Sequence, residues 1–332
     1  MTVLRDLRDR AAARPAHIVL SEGSDPRVVA GAVAAVRSGI ARVTLVGQED
    51  EVAAALVVAG SPNNPAITIA DPATSKFTAE AAATYYELRK HKGVTAEIAE
   101  QQAHDPLIFS AMMVRMERAD GTVGGAVATT SDTVRAALQI IGKAKDAPLV
   151  SSFFIMALPE NHPSGRAAMI FGDSGLVIDP TSEELAAIAV TSAASCAQLL
   201  AIEPHVALLS FSTMGSARHE KVTKVTDAVA LLKTRHPDLK ADGELQFDAA
   251  FVPSVAATKA PGSPVAGHAN VMIFPNLDAG NIGYKIAQRI GGCEAIGPVL
   301  QGLAKPANDL SRGCVAEDVT NMIAVTVLQA FA

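Results

Sequence analysis

The segment His17-Ile-Val-Leu-Ser-Glu-Gly-Ser-Asp-Pro26 decides the fold class. His17–Ser21 is an apolar run of strand length that ends in a polar loop. Asp25 then offers a carboxylate to cap helix N–H groups, and Pro26 brings a fixed φ suited to the first helical position. Val28, Val29, Ala32 and Val36 give that helix an apolar side, and Gly39 ends it. The same alternation continues outward. Strands are predicted at Arg42–Val46 and Ala66–Ala70, and a helix at Thr78–Lys92 stopped by Gly93. Further strands are predicted at Leu149–Met156, Ala167–Phe171, Val206–Phe211 and Val271–Phe274, with helices at Glu183–Leu200, Lys221–Arg235 and Asn281–Ile290. Alternation of this kind predicts an α/β fold in which a parallel sheet carries helices on both sides.

A chain of 332 residues is long for one core, so two domains are expected. No Pro/Gly/Ser-rich linker separates them, which implies short crossings, and composition places no boundary. The formal net charge of −6 and the absence of Trp argue against a nucleic-acid partner, which would want a basic face and stacking rings. Apolar runs such as Leu149–Leu158 are too short to span a membrane, and Met1–Arg10 mixes charges where a signal peptide would be apolar. A cytoplasmic location is expected. Cys196, Cys293 and Cys314 stand far apart with no CxxC pair, so neither a disulfide framework nor a Cys-rich zinc site is expected.

Neither a GxxxxGK[ST] loop nor a GxGxxG after the first strand is present, which removes the simplest nucleotide-binding readings. Gly172-Asp-Ser-Gly175 matches the string around a serine-protease nucleophile but reads as a turn at a strand end. The densest chemistry lies near the C-terminus. Ser311, Arg312, Gly313, Cys314 and Asp318 directly precede the apolar run Val319–Ala332, which is a helix by its length and character. A helix N-terminus presents free N–H groups and favours anions, and Arg312 adds a fork that matches two oxygens of a phosphate or carboxylate. Asp318 stands close enough to act as a base. Thr129-Thr-Ser-Asp-Thr-Val-Arg135 is a second helix start, either plain capping with a solvated Arg135 or a second anion-facing terminus. Gly121, Gly124 and Gly125 upstream would let backbone approach a substrate. Tyr85–Gly93 is a basic helix end whose Arg89 serves the dipole or an anionic ligand. Cys314 has the setting of an activated thiol, yet a packing role is the commoner fate of such a residue. His162, His205 and His268 lack metal-ligand spacing.

With these segments in view, the chain resembles the phosphate acetyl/butyryl transferase family over nearly its whole length. The resemblance is carried by Ser21-Glu-Gly with Asp25 and Arg27, by Glu87–Gly93, by Ala119-Asp-Gly121 and by Thr133-Val-Arg135. It continues through Gly262–Pro275, Ala279–Lys285 and Asn308-Asp-Leu-Ser-Arg-Gly-Cys314. It implies two α/β domains of the isocitrate/isopropylmalate dehydrogenase-like type with a cleft between them, and a homodimer. By the resemblance, domain I is 1–146 with 300–332, domain II is 147–299, and the last helix returns to domain I. The implied reaction is acetyl-CoA + phosphate ⇌ acetyl phosphate + CoA, with these small molecules as partners and no cofactor beyond CoA as substrate. The family's functional positions fall on Arg89, Arg135, Ser311, Arg312 and Asp318. In the direction that consumes acetyl phosphate, Asp318 would take the CoA thiol proton, Arg312 would hold the phosphoryl oxygens, and Ser311 would bond the oxyanion. Arg135 and Arg89 would bind phosphate or CoA charge. Transfer would be direct, within a ternary complex. His268, Val315 and Met116-Glu117 depart from residues common in the family. Two competing readings are a short-acyl transferase such as a butyryl enzyme and a non-catalytic acyl-CoA-sensing domain.

Overall fold

The computed structural model describes residues 3–331. Its contacts divide into two compact α/β units, one built from Leu4–Lys145 with the residues from Leu303 onward, the other from Asp146–Gly302.

The first unit begins with α1 (Val3–Ala13), β1 (Ala16–Leu20), α2 (Pro26–Arg37), β2 (Ala41–Val46), α3 (Glu49–Val58) and β3 (Ile67–Ala70). It continues with α4 (Phe77–Arg89), α5 (Ala96–Ala103), α6 (Pro106–Arg115), β4 (Gly121–Gly124) and α7 (Thr130–Ala136). The second unit holds β5 (Ser151–Ala157), β6 (Ala168–Gly172), α8 (Ser182–Leu200), β7 (Val206–Leu209), α9 (Glu220–Arg235) and β8 (Ala241–Leu245). After these come α10 (Phe247–Phe251), α11 (Pro253–Lys259), β9 (Val271–Ile273), α12 (Leu277–Arg289) and β10 (Glu294–Gln301). The chain then re-enters the first unit as β11 (Ala307–Asp309) and α13 (Ala316–Gln329).

The first unit's sheet has the order β11-β4-β1-β2-β3, and every pair is parallel. One face carries α2 against α13, packed so closely that a Cβ on Gly31 would meet Val319 and the Ala316 carbonyl. The other face carries α4, α5 and α6, whose Ala81, Tyr85, Phe109 and Met112 form one buried cluster with Val19 and Val46. Period-two alternation explains the division, since neighbouring strand residues point to opposite faces.

The second sheet has the order β10-β5-β6-β9-β7-β8. Here the all-parallel expectation fails: β5 runs antiparallel to both β6 and β10. An apolar run of strand length carries no record of its direction, and β10 has an irregular burial pattern that hid it from the sequence. The Gly172–Gly175 turn reading holds for a clear reason. Asp173 accepts from Ser152 Oγ–H at 2.6 Å and from the N–H groups of Ser152, Gly175 and Leu176, which makes it a loop-closing carboxylate.

Two of the three glycines expected to admit a substrate do something else. Gly121 and Gly124 lie inside β4, where a Cβ would collide with Thr326 and with Ser21 Oγ respectively. They make room for core packing. At the end of α6, Glu117 has φ +60, a left-handed conformation that favours glycine.

Candidate active site

Three adjacent parallel strands, β11, β4 and β1, end side by side, and each feeds a loop into a helix N-terminus. The β1 loop, Ser21–Asp25, enters α2. The β4 loop, Gly125–Thr129, enters α7, and the β11 loop, Leu310–Val315, enters α13. Because α2 and α13 pack on one face and α7 packs with α6 on the other, the loops diverge between β1 and β4 and again between β4 and β11. The carboxyl ends of strands at such a switch of direction form the ligand crevice of open α/β sheets.

Arg27 binds all three loops. Its Nε and one terminal nitrogen donate to the two oxygens of Asp25 at 3.0 and 2.8 Å. The same terminal nitrogen reaches the Ala126 carbonyl at 2.8 Å, and the other donates to the carbonyls of Arg312 at 2.7 Å and Cys314 at 3.3 Å. The guanidinium fork holds the Asp25 carboxyl below the usual carboxylate range, against the opposing effect of burial. Asp25 also caps α2 through the Arg27 N–H, as expected of it. Glu22 completes the arrangement by accepting the N–H groups of Ala126, Val127 and Ala128 at 2.7–2.9 Å. Arg27, Glu22 and Asp309 were present in the segments carrying the resemblance but received no role there. The missing signal was long-range: Arg27 and Arg312 are far apart in sequence, and no local pattern joins them.

The predicted site residues divide into two groups. Ser311, Arg312 and Asp318 share the exposed β11 loop and the first turn of α13. Ser311 Oγ accepts the Gly313 N–H at 3.2 Å, which leaves its own proton to donate. Asp318 Oδ2 accepts the Val315 N–H at 2.9 Å. Arg135, exposed near the end of α7, pairs with Asp132 at 2.8 Å, while Thr129 caps the helix. Arg89 ends α4, and its Nε is buried without a hydrogen-bond partner. Among the described residues no hydrogen bond or ion pair joins Arg89 or Arg135 to the Ser311–Asp318 loop.

Cys314 is only 5% exposed, and burial pushes its thiol up, the opposite of what a nucleophile needs. All three cysteines are free. Among the described residues no group of His, Cys, Asp and Glu is placed to hold a metal ion, and no helix is long and apolar enough to cross a membrane. The second unit has a separate cavity of about 580 Å³ beyond the ends of β7 and β9, walled by Phe211, Phe247 and Phe274. Its carboxylates Asp179 and Glu220 balance Lys221 and Lys224, so these four side chains carry no net formal charge.

A family model described as phosphate acetyl/butaryl transferase matches residues 2–327. The chain belongs to this family. A phosphate acetyltransferase of Paracoccus denitrificans is 50% identical over 329 residues, covering 99% of each chain. The crystal structure of a phosphotransacetylase from Streptococcus pyogenes is 43% identical with a TM-score of 0.91, covering 99% of this chain and 98% of that one. The EutD phosphotransacetylase from Staphylococcus aureus, also 43% identical, has a TM-score of 0.88 with the same coverage.

The valine at position 315 has a physical consequence. Val315 is the N-cap of α13, and only half of a reciprocal cap forms: Asp318 bonds back to the cap N–H, while a valine side chain has no acceptor to return the bond. Val315→Ser should stabilise the protein by about 0.5–2 kcal/mol in chemical denaturation. An unchanged or lower midpoint would show that the cap geometry does not limit this helix.

Proposed function

We propose that the chain is an acyltransferase catalysing acetyl-CoA + phosphate ⇌ acetyl phosphate + CoA at the β11 loop. The observation that supports this most strongly is the placement of Ser311, Arg312 and Asp318 on one loop at a helix N-terminus, where three strand ends meet at a switch of direction. A hydroxyl, a guanidinium and a carboxylate there match the needs of the reaction.

In the direction that consumes acetyl phosphate, Asp318 takes the proton of the CoA thiol. Its Oδ2 is held by the Val315 N–H, so Oδ1 is the acceptor. The sulfur attacks the acetyl carbonyl carbon, and the Ser311 hydroxyl donates to the resulting oxyanion. The carbon–oxygen bond to phosphate then breaks, and Arg312 holds the departing phosphate through its fork. Arg135 and Arg89 supply further positive charge for phosphate or CoA. No acyl-enzyme forms, in keeping with the buried, raised thiol of Cys314. The reading includes a cytoplasmic protein that acts on small molecules, with no cofactor besides CoA as substrate.

The same reading includes a homodimer. Ile282, Ile286 and Ile290 recur every four residues along one side of α12 and are exposed, with exposed Ile178 on the segment that bonds the start of that helix. Tyr284 and Ala287, on another side of α12, pack against a buried cluster. A second copy of the chain is the occupant that would cover this apolar stripe.

Asp318→Asn should lower kcat by about 10²–10⁴-fold with little change in KM, and Arg312→Ala should raise KM for acetyl phosphate. A thiol-release assay reads both, and wild-type kinetics in either variant would remove that residue from its role. For the dimer, Ile286→Glu should shift the sedimenting species from two chains to one, whereas an unaltered mass would place the contact elsewhere.

A further inference from the structure

We propose that Asp309 is a positioning residue for transfer: bonded to Thr130, its buried carboxylate locks the Ser311–Arg312 loop against the first turn of α7. This rests on the acyltransferase reading above. Asp309 is the last residue of β11, two positions before Ser311, and is 0% exposed. Its Oδ2 accepts the Thr130 hydroxyl at 2.7 Å, and Thr130 opens α7, the helix that carries Arg135. One side-chain bond therefore ties the segment bearing Arg312 to the helix bearing Arg135.

The surroundings are shaped to admit this carboxylate. Gly125 lies over Oδ1 with φ +97, and any Cβ there would collide with that oxygen and with the Leu310 backbone. Oδ1 is buried and has no hydrogen-bond partner. A buried carboxylate facing only hydroxyl groups is costly, and an asparagine could accept the same Thr130 proton without a charge. The charge therefore opposes stability at this position, which points to a role in the geometry of the site.

The groups facing Asp309 are Thr130 and Thr133 of α7 and Glu22 of the β1 loop. Burial raises the carboxyl to about 6, with Glu22 adding to the rise and the two hydroxyls opposing it. The folded value exceeds the unfolded one, so this group's contribution to stability is complete at low pH and is lost as pH rises through about 6. Protonation weakens the charge-assisted bond to Thr130, so the loop is locked above that pH and looser below it.

The test uses the full chain and three variants, with kcat measured from pH 5 to 8.5 alongside thermal melting. Asp309→Asn should melt at or above the wild type at pH 7.5, yet lose about 10–100-fold in kcat. The wild-type profile should show an acidic limb near pH 6, and Asp309→Asn should lose it. Thr130→Val should reproduce the loss in kcat, and Thr130→Ser should restore activity. Full kcat with an unaltered acidic limb in Asp309→Asn would overturn the proposal. A parallel fall in kcat and melting temperature, without a change in the pH profile, would also overturn it by showing a merely structural role. If the wild type transferred no acetyl group, the parent reading would fail instead, so the two failures are distinct.

Discussion

The guanidinium of Arg27 is the contact on which the site depends. It bonds the Asp25 carboxylate on its own helix cap, the Ala126 carbonyl after β4, and the Arg312 and Cys314 carbonyls after β11. Each loop leaves a different strand, and sheet pairing stops before the Ser311–Asp318 segment begins. Beyond Leu310, whose N–H still bonds the Gly124 carbonyl at 2.7 Å, the β11 loop has no ladder to hold it. The planar fork supplies that hold through fixed donors, which a flexible ammonium would not reproduce. The exposed side chains of Ser311 and Arg312 thus rest on a backbone fixed from beneath.

Three carboxylates with different partners are arranged around the same point. Asp25 is kept ionised by Arg27, and Glu22 is satisfied by three backbone N–H groups. Asp309, buried against the hydroxyls of Thr130 and Thr133, has its carboxyl raised to about 6 by that burial. Electrostatic preorganisation works through groups placed before substrate arrives, and these three carboxylates hold the loops through their hydrogen bonds.

Much of the fold was legible because it is local. The Asp25–Pro26 helix start, the Gly93 stop and the strands β1, β2, β3, β6, β7 and β9 follow from caps, breakers and apolar runs, and their ends fall within one or two residues of expectation. Strand direction was not legible, as β5 and β10 show, because reversing a strand leaves its composition unchanged. The glycines of β4 were misread for a related reason: what excludes a side chain at Gly121 and Gly124 is Thr326 and Ser21, residues remote in sequence. For the site, the loop Ser311–Asp318 announced itself through its density of functional groups. Arg27 and Asp309 did not, since their significance lies in partners contributed by other loops.

The central claim is that the Arg27 fork fixes the loop that performs transfer. The most direct measurement is amide hydrogen exchange across 310–318 in Arg27→Lys, which keeps the charge and removes the fork, with kcat measured on the same sample. Protection of the Cys314 and Val315 amides should fall while the α2 and α13 interiors stay protected, and kcat should drop about 10–100-fold. Wild-type protection in that loop together with wild-type kcat would contradict the account.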